Sequence, residues 1–290
     1  MRHTYECPLR WADMDQLGHI NNVAYVDYLQ EARIELFAAH PELTRGGSGA
    51  GLVVVRHELD FVAPLRFRKR PVLIDSWVTE VRAGSFVACH EIYDPAPAEG
   101  GGPDGRLVYL RASTKLAPMV LATGAPRRIE PGERAALEQY LEPAVPRTRL
   151  STAGRSQHLY PLRVRWSDLD TYHHVNNVKY VEYFQEARIN YSMAMHQEGD
   201  VFGDFVIARI DVDYLRPITF RQEPYALHSW ISHVGRTSAV WAGEIREGDT
   251  VLARTQVVTV GFDTTTQRSA PLPADHHRRL TEQLALSGLG

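Results

Sequence analysis

Apolar positions recur with helical spacing in two segments of the chain, one in each half. In the first segment, five residues share one face at i, i+3, i+4, i+7 and i+11, namely Tyr25, Tyr28, Leu29, Ala32 and Leu36. In the second segment, the same spacing is repeated by Tyr180, Tyr183, Phe184, Ala187 and Tyr191. This periodicity predicts helices from about Asn22 to Ala39 and from Asn177 to Gln197. The Asn pairs at 21–22 and 176–177 are candidate N-caps.

Runs rich in Val, Ile, Thr, Trp and Tyr follow each helix and predict β-strands. They cover about 51–62, 71–81, 86–93 and 107–116 in the first half, and 205–215, 224–234, 239–246 and 251–262 in the second. A short strand precedes each helix, at about 4–11 and 157–166, and short helices are expected near 131–141 and 273–286. The predicted fold class is therefore α+β, with an antiparallel sheet of about five strands wrapped around one long helix in each half.

The two halves are copies of one another. Residues 10–34 and 165–189 align without gaps, and 16 of these 25 positions are identical. Weaker matches continue in register downstream, such as Asp60-Phe61-Val62-Ala63-Pro64 with Asp213-Tyr214-Leu215-Arg216-Pro217. The repeat predicts one domain duplicated in tandem. The expected division is a first domain at 1–141, a linker rich in Pro, Arg, Thr and Ser at 142–156, and a second domain at 157–290.

Composition excludes several classes of function. The 290 residues carry a formal net charge of −3, so the chain lacks the basic excess of a general nucleic-acid binder. The sequence contains no run of 18 or more apolar residues, so no membrane span is predicted. The N-terminus has no signal-peptide pattern. No GxGxxG directly after a predicted strand and no GxxxxGK[ST] is found, and the glycines at 100–102 are typical of a loop, so no cofactor is expected. The two cysteines, Cys7 and Cys89, form no disulfide framework, which favours a cytoplasmic location.

The motif W-x-D-x-D-x-x-x-H-x-N-N-V-x-Y stands in both halves, between a predicted strand and a helix start. It supplies a carboxylate (Asp15, Asp170) and an imidazole (His19, His174) as candidate catalytic groups. The helix start near Asn22 and Asn177 offers unpaired amides that suit a developing oxyanion. With no Ser or Cys nucleophile in the motif, these groups indicate acyl transfer from an easily cleaved ester, and a thioester fits best.

Other interpretations of the same residues stay open. Asp13 and Asp168 are typical of turn or cap residues. The histidines can be structural, and the D-x-D-x-x-x-H spacing can hold a divalent metal, although no metal is the preferred interpretation. Glu31 and Glu186, in the repeated Gln-Glu-Ala-Arg, are alternative active carboxylates, but structural pairing is favoured for them.

Basic residues cluster after the second predicted strand of each half. Arg68 and Arg70 lie in the densest group, and Arg221 occupies the equivalent region of the second half. Guanidinium groups pair well with phosphates, so these three residues are predicted to bind the phosphates of coenzyme A. The alternative is that these arginines form a solvent-exposed charged turn with no role in binding.

The segment 13–25, and its second copy from Trp166 to Tyr180, resembles the signature of hotdog-fold acyl-CoA thioesterases of the 4-hydroxybenzoyl-CoA thioesterase class. The second copy is also similar to plant acyl-ACP thioesterases, which are tandem hotdogs. The resemblance places the catalytic carboxylate on Asp15 and Asp170 and the polarising amide near Asn22 and Asn177. The Asn that the acyl-ACP enzymes carry two residues after the Asp is replaced by Leu17 and Tyr172. Their downstream acidic residue falls near His233 and Glu80, which argues against an identical mechanism.

The expected function is hydrolysis of an acyl thioester to a free acid and a thiol, with acyl-CoA as the favoured substrate and an acyl carrier protein thioester as the open alternative. The alternatives are an acyl-thioester dehydratase on the same fold and a non-catalytic acyl-CoA-binding protein. No nucleic acid or membrane partner is expected, and two chains can associate into a homodimer. Since Leu17-Gly18 becomes Tyr172-His173, two active sites of unequal rate or acyl preference are predicted.

Overall fold

The computed structural model describes residues 1–40, 43, 50–97, 101–151, 153–196, 205–266 and 268–289. The chain forms two compact units, Met1–Arg147 and Thr148–Gly290. Residues 142–147 thus belong to the first unit and 148–156 to the second, so the assignment of 142–156 as a separate linker stays a prediction. Each unit has its own sheet and its own long helix.

The sheet of the first unit is antiparallel, with strand order β1-β3-β4-β5-β2. These strands are His3–Cys7 (β1), Ala50–Phe61 (β2), Val72–Val81 (β3), Phe86–Asp94 (β4) and Leu107–Val120 (β5), and the two-residue Ala125–Pro126 (β6) pairs with the end of β5. The long helix is Asn22–Ala38 (α1) and a short one is Pro131–Glu138 (α2).

The predicted apolar face of α1 is buried in the first unit. Tyr25, Tyr28, Leu29, Ala32 and Leu36 are all at most 3% exposed. Tyr25 meets Phe61 of β2 edge to face at 5.2 Å between ring centroids. Leu36 lies in a core cluster with residues of β3, β4, β5 and α2. Burial of this stripe, rather than helix propensity, is what holds such a helix on a sheet.

The second unit repeats the arrangement with the strand order β8-β11-β10-β9-β7, again antiparallel. These strands are His158–Leu162 (β7), Phe205–Tyr214 (β8), Tyr225–Val234 (β9), Ser238–Glu247 (β10) and Thr250–Asp263 (β11), and Arg268–Ser269 (β12) pairs with β11. The helices are Asn177–Met195 (α3) and Ala274–Leu286 (α4). One long helix and five main strands per unit confirm the predicted fold class.

The element bounds differ from the predictions mainly at the first strand of each unit. Extended structure was expected to reach Trp11 and Trp166, but β1 ends at Cys7 and β7 at Leu162. Each Trp instead begins a short 3₁₀ helix, Trp11–Asp13 and Trp166–Asp168. Pro8 cannot donate to a sheet ladder, which explains the early end of β1. The predicted end of α3 at Gln197 lies outside the described residues.

Candidate active site

The repeated motif forms a short loop between the 3₁₀ turn and the long helix of each unit. In the first unit, Met14 and Ile20 form an isolated antiparallel bridge, and the loop between them turns at Gly18. The Asp15 amide donates to the His19 carbonyl at 2.7 Å, and the Gly18 amide donates to the Asp15 carbonyl at 3.1 Å. The backbone therefore places the Asp and the His side by side, next to the helix start.

The second unit builds the same loop with the same bonds. Leu169 bridges Val175, and the Asp170 amide donates to the His174 carbonyl at 2.7 Å. His173 has a φ of 60° where Gly18 has 71°. The loop thus requires the left-handed conformation at this position in both units, although only the first unit has glycine there.

One oxygen of each candidate catalytic carboxylate is held by the backbone. Asp15 Oδ1 accepts hydrogen bonds from the amides of Leu17 (2.9 Å) and His19 (3.1 Å). Asp170 Oδ1 accepts them from Tyr172 (2.8 Å) and His174 (3.2 Å). Within the described part of the chain, Oδ2 of neither carboxylate accepts a hydrogen bond. Both residues are half-buried, and backbone amides orient one oxygen of each carboxylate.

The histidines contribute to the loop mainly through their backbone. The side chain of His19 is buried, and its Nε2 has no hydrogen-bond partner in the described structure. Burial lowers the pKa of His19, while the Asp15 carboxylate opposes that shift more weakly. His174 is half-buried and bridges Thr219 through its backbone. Among the described residues, neither His19 nor His174 makes a side-chain hydrogen bond to Asp15 or Asp170.

The helix starts fall where the sequence predicts them. Asn21 and Asn176 are the N-caps, and their side chains accept from the amides of Val23 (2.9 Å) and Val178 (3.0 Å). Asn22 and Asn177 are the first helical residues. Amides in the first turn of a helix have no acceptor inside the helix and lie at the positive end of its dipole. Polarisation of a carbonyl by these two amides stays a prediction.

The first Asp of each motif has a structural role. Asp13 Oδ2 accepts from the phenol of Tyr28 at 2.6 Å and from Arg10 Nε at 3.0 Å. Asp168, which is 3% exposed, accepts from the phenol of Tyr183 at 2.6 Å. These bonds tie the 3₁₀ turn to the long helix, as expected for a turn residue.

A backbone hydrogen bond joins the end of each loop to the segment that follows β2 or β8, and the sequence analysis did not predict it. The Ile20 amide donates to the carbonyl of Leu65 at 2.7 Å, and the Val175 amide donates to that of Ile218 at 2.8 Å. In the second unit, Tyr180 Oη accepts from the Ile218 amide at 3.1 Å. The repeated Pro at 64 and 217, directly before these residues, was the signal available in the sequence.

The basic residues predicted to bind substrate have carboxylate partners within their own unit. Arg68 and Arg70 both pair with Asp94 Oδ2, and Arg70 also donates to the Ala96 carbonyl at 3.1 Å. Burial raises the pKa of Asp94, but hydrogen bonds from Ala96 and Arg68, with the nearby charges, hold it below its usual range. Two cations against one anion leave one positive charge in excess.

Arg221, the third of these residues, lies in a similar setting. It pairs with Glu247, donates to the carbonyls of Glu223 and Pro224, and stacks on the Tyr225 ring at 3.6 Å. The three arginines are therefore positioned by local partners, and their role as substrate-binding residues stays a prediction. Of the alternative carboxylates, Glu31 and Glu186 are exposed on their helices, with no hydrogen bond or ion pair to other described residues.

Within the described residues, no three His, Cys, Asp or Glu side chains are grouped so that they could hold a metal ion. No described helix is both long and apolar enough to cross a membrane. The two cysteines are unpaired.

The thioesterase-like superfamily matches this chain twice, over residues 9–137 and 164–280. The chain belongs to this superfamily. The two family matches, together with the repeated sheet and helix, confirm the predicted fold of two hotdog domains in tandem. They also confirm the resemblance to hotdog thioesterases. The class of chemistry that the family supports is thioester hydrolysis.

Solved structures with the same fold cover most of the chain. A protein of Lactobacillus plantarum, provisionally described as an oleoyl thioesterase, shares 15% identity and a TM-score of 0.72, covering 91% of this chain and 97% of that one. The 12:0-ACP thioesterase from Umbellularia californica shares 15% identity and a TM-score of 0.69, covering 90% and 94%. An acyl-ACP thioesterase of Bacteroides thetaiotaomicron shares 16% identity and a TM-score of 0.64, covering 89% and 97%. Comparison with curated protein sequences finds no match.

Proposed function

We propose that this chain hydrolyses acyl-CoA thioesters to a free acid and coenzyme A, with Asp15 and Asp170 as the catalytic carboxylates. The observation that carries the proposal is the repeated geometry of these two residues. In each unit, two backbone amides hold Oδ1 and leave Oδ2 without a partner in the described chain. A carboxylate fixed in this way can act as general base toward water or as nucleophile toward a carbonyl.

The helix start provides the second requirement of the reaction. The carbonyl oxygen of a thioester gains negative charge when it is attacked, and preorganised N–H donors at that position lower the barrier. The donors in this proposal are the backbone amides of Asn22 and Asn177, the first residues of the helices that follow the carboxylate loops. The leaving thiolate of a simple thiol has a pKa of about 8.5, so its departure needs little help from an acid. This agrees with histidines that contact the carboxylates only through their backbone.

Coenzyme A is preferred to acyl carrier protein as the thiol on grounds of charge. A small acidic carrier needs a basic docking surface, and the chain has a formal net charge of −3. The excess positive charge at Arg68 and Arg70 suits a small phosphate group instead. The named solved structures include acyl-ACP thioesterases, so the carrier remains the alternative thiol in the test.

One assay separates the candidate functions. The chain is incubated with acyl-CoA esters of aromatic, branched, straight-chain and β-hydroxy acids, and with the same acids on acyl carrier protein, while a thiol reagent and the enoyl absorbance are followed together. The proposal predicts thiol release, faster from coenzyme A than from the carrier. Enoyl formation from a β-hydroxyacyl ester without thiol release would identify a dehydratase, and binding without either product would identify an acyl-CoA-binding protein.

A further inference from the structure

Two aromatic side chains lie together on the surface of the second unit. Trp166, the first residue of the 3₁₀ turn, is 69% exposed, and Phe220, in the segment between β8 and β9, is 43% exposed. Their rings meet edge to face, with 5.6 Å between the centroids and 82° between the planes. The contact positions the indole and leaves most of it open to solvent. We call this pair the aromatic ledge.

Phe220 lies beside the candidate catalytic loop of the second unit. Its neighbour Thr219 forms an isolated antiparallel bridge with His174, the residue whose amide donates to Asp170 Oδ1. The next residue, Arg221, is one of the predicted phosphate-binding residues. Three successive residues of this segment therefore lead from the catalytic loop, past the exposed indole, to a guanidinium.

Trp166 lies close to the start of α3. It is two residues before Asp168, whose carbonyl accepts a hydrogen bond of 2.8 Å from the amide of Asn176, the N-cap. It is four residues before Asp170, so the Cα atoms of these two residues are at most about 14 Å apart, the length of four extended residues. The aromatic ledge is thus within reach of a substrate whose thioester lies between this carboxylate and the helix start.

The first unit has the same residue types at the equivalent positions. Trp11 is 71% exposed at the start of its own 3₁₀ turn. Phe67-Arg68 aligns with Phe220-Arg221 at the offset of 153 residues that also aligns Pro64 with Pro217. Single exposed apolar side chains are common on protein surfaces and need no explanation. A tryptophan exposed at the same place in both copies, beside the candidate site, instead indicates a surface that substrate covers.

We propose that the aromatic ledge binds the pantoyl group of the pantetheine arm, the chain that carries the thiol in both coenzyme A and acyl carrier protein. The pantoyl group has a quaternary carbon with two methyls, an apolar part that an exposed indole and a phenyl ring can shield from water. A chain of about ten bonds separates this carbon from the thioester sulfur, which is roughly 12 Å when extended. This length agrees with the upper bound on the distance from Asp170 to Trp166.

The proposal rests on the thioesterase function for its ligand, and it applies to either carrier of the thiol. The adenine of coenzyme A follows the pantoyl group after about as many bonds again, so it would lie beyond the ledge. The phosphate that directly follows the pantoyl group would lie next to Arg221. Arg163 Nη1 donates to the carbonyl of Gln222 at 3.2 Å, so a second guanidinium lies at this end. Apolar surface and positive charge thus follow one another in the order in which the arm requires them.

The binding test uses the full chain and needs no turnover. The five tryptophans are labelled with ¹⁵N, and their indole signals are followed by NMR while S-methylpantetheine is added. The signal that is lost in Trp166→Phe identifies Trp166. The matched ligand is the S-methyl ether of N-acetyl-β-alanylcysteamine, which keeps both amides and lacks the pantoyl group.

S-methylpantetheine should shift the Trp166 signal with a Kd at least about 5-fold lower than that of the matched ligand, as burial of two methyl groups allows. The indoles of Trp230 and Trp241 are internal controls, because both residues are buried in the second unit. Their signals should not shift with either ligand.

Kinetics test the same contact during turnover. In the Asp15→Asn background, where the proposed function assigns hydrolysis to the second unit, Trp166→Ala and Phe220→Ala should each raise KM for an acyl-pantetheine ester about 5-fold, with kcat kept. KM for the matching ester of N-acetyl-β-alanylcysteamine should stay unchanged, since that ester lacks the group that contacts the ledge. Trp166→Phe should restore part of the difference. Met193→Ala, which removes an exposed apolar side chain from α3, should change KM for neither ester.

The outcomes distinguish this inference from the function on which it rests. A Trp166 signal that responds equally to both ligands, or to neither, would overturn the proposal. So would an equal rise in KM for both esters, since the aromatic pair would then act through the fold of the catalytic loop. A shift that follows the concentration of the chain without ligand would show that a second copy covers the ledge, and would also overturn it. An inactive chain whose Trp166 signal still distinguishes the two ligands would contradict the thioesterase function alone.

Discussion

The phenol of Tyr183 on α3 donates a hydrogen bond of 2.6 Å to the Asp168 carboxylate in the 3₁₀ turn. Tyr28 and Asp13 repeat it at 2.6 Å in the first unit. The two residues of each pair are 15 positions apart in sequence, and the candidate catalytic loop lies between them. The bond therefore ties the 3₁₀ turn before the loop to the long helix after it, and the second Asp lies two residues after the first, inside the loop.

Removing this bond should destabilise the second unit. Tyr183→Phe deletes the donor and leaves a buried carboxylate short of one partner, which should lower the free energy of unfolding by about 1.5–3 kcal/mol. Urea unfolding followed by circular dichroism measures the loss. Tyr172→Phe is the matched control, because no hydrogen bond of its hydroxyl is found among the described residues. An unfolding midpoint equal to that of the wild type would show that the bond does not hold the turn.

The left-handed residue at the tip of each loop gives a reciprocal prediction. His173 has a φ of 60°, a conformation that costs a side-chain-bearing residue about 1–2 kcal/mol. His173→Gly should therefore raise the stability of the second unit, and Gly18→His should lower that of the first, each by about 1 kcal/mol. The added entropy of an unfolded glycine opposes the first change. Thermal unfolding of the two variants provides the comparison, and shifts of the same sign in both would contradict the assignment of strain.

His276 should make stability depend on pH. It is 4% exposed, and burial, with a smaller effect from His196, lowers its pKa to about 4. Between about 6.5, the unfolded value, and about 4, the unfolded chain binds a proton that the folded chain does not, so stability falls as the pH is lowered through this range. Unfolding free energies of His276→Phe, which keeps a ring beside Phe205, should fall less steeply. At pH 8 the two proteins should differ by packing alone, and parallel profiles would refute the prediction.

The pair Arg68 and Arg70 is predicted to interact with the phosphates of coenzyme A. Neutralising both with Gln should raise KM for an acyl-CoA ester by up to about 5-fold, as partly exposed charge pairs permit, and change KM for the matching pantetheine ester little. Arg82→Gln, an exposed arginine paired with Glu80, is the control. An equal rise for both esters would mean that the two arginines act through Asp94 and the fold.

Much of the fold could be predicted because periodicity and the repeat reinforce each other. The apolar face from Tyr25 to Leu36 is buried as its spacing indicates, and Asn21 and Asn176 are the caps. The ends of elements could not be predicted as well. The turn at Trp11 depends on contacts of Asp13 with Tyr28, which lie 15 residues apart, and periodicity within a strand contains no such information.

The candidate site, like the fold, could be predicted only in part from the sequence. The motif predicts which carboxylates matter, and their partly free oxygens agree with that choice. It could not predict that Arg68 and Arg70 share Asp94, because the three residues meet only when β4 lies beside the turn before β3.

The central claim is that Asp15 and Asp170 perform the hydrolysis, each in its own unit. Its most direct test is kcat for thiol release by Asp15→Asn, Asp170→Asn and the double variant, with folding checked by circular dichroism. Each single variant should keep residual turnover, since the other unit still works, and unequal residuals would agree with the differences between Leu17-Gly18 and Tyr172-His173. The kcat of the double variant should fall about 10²-fold or more. Wild-type activity in the double variant would contradict the assignment and make Glu31 and Glu186 the carboxylates to test.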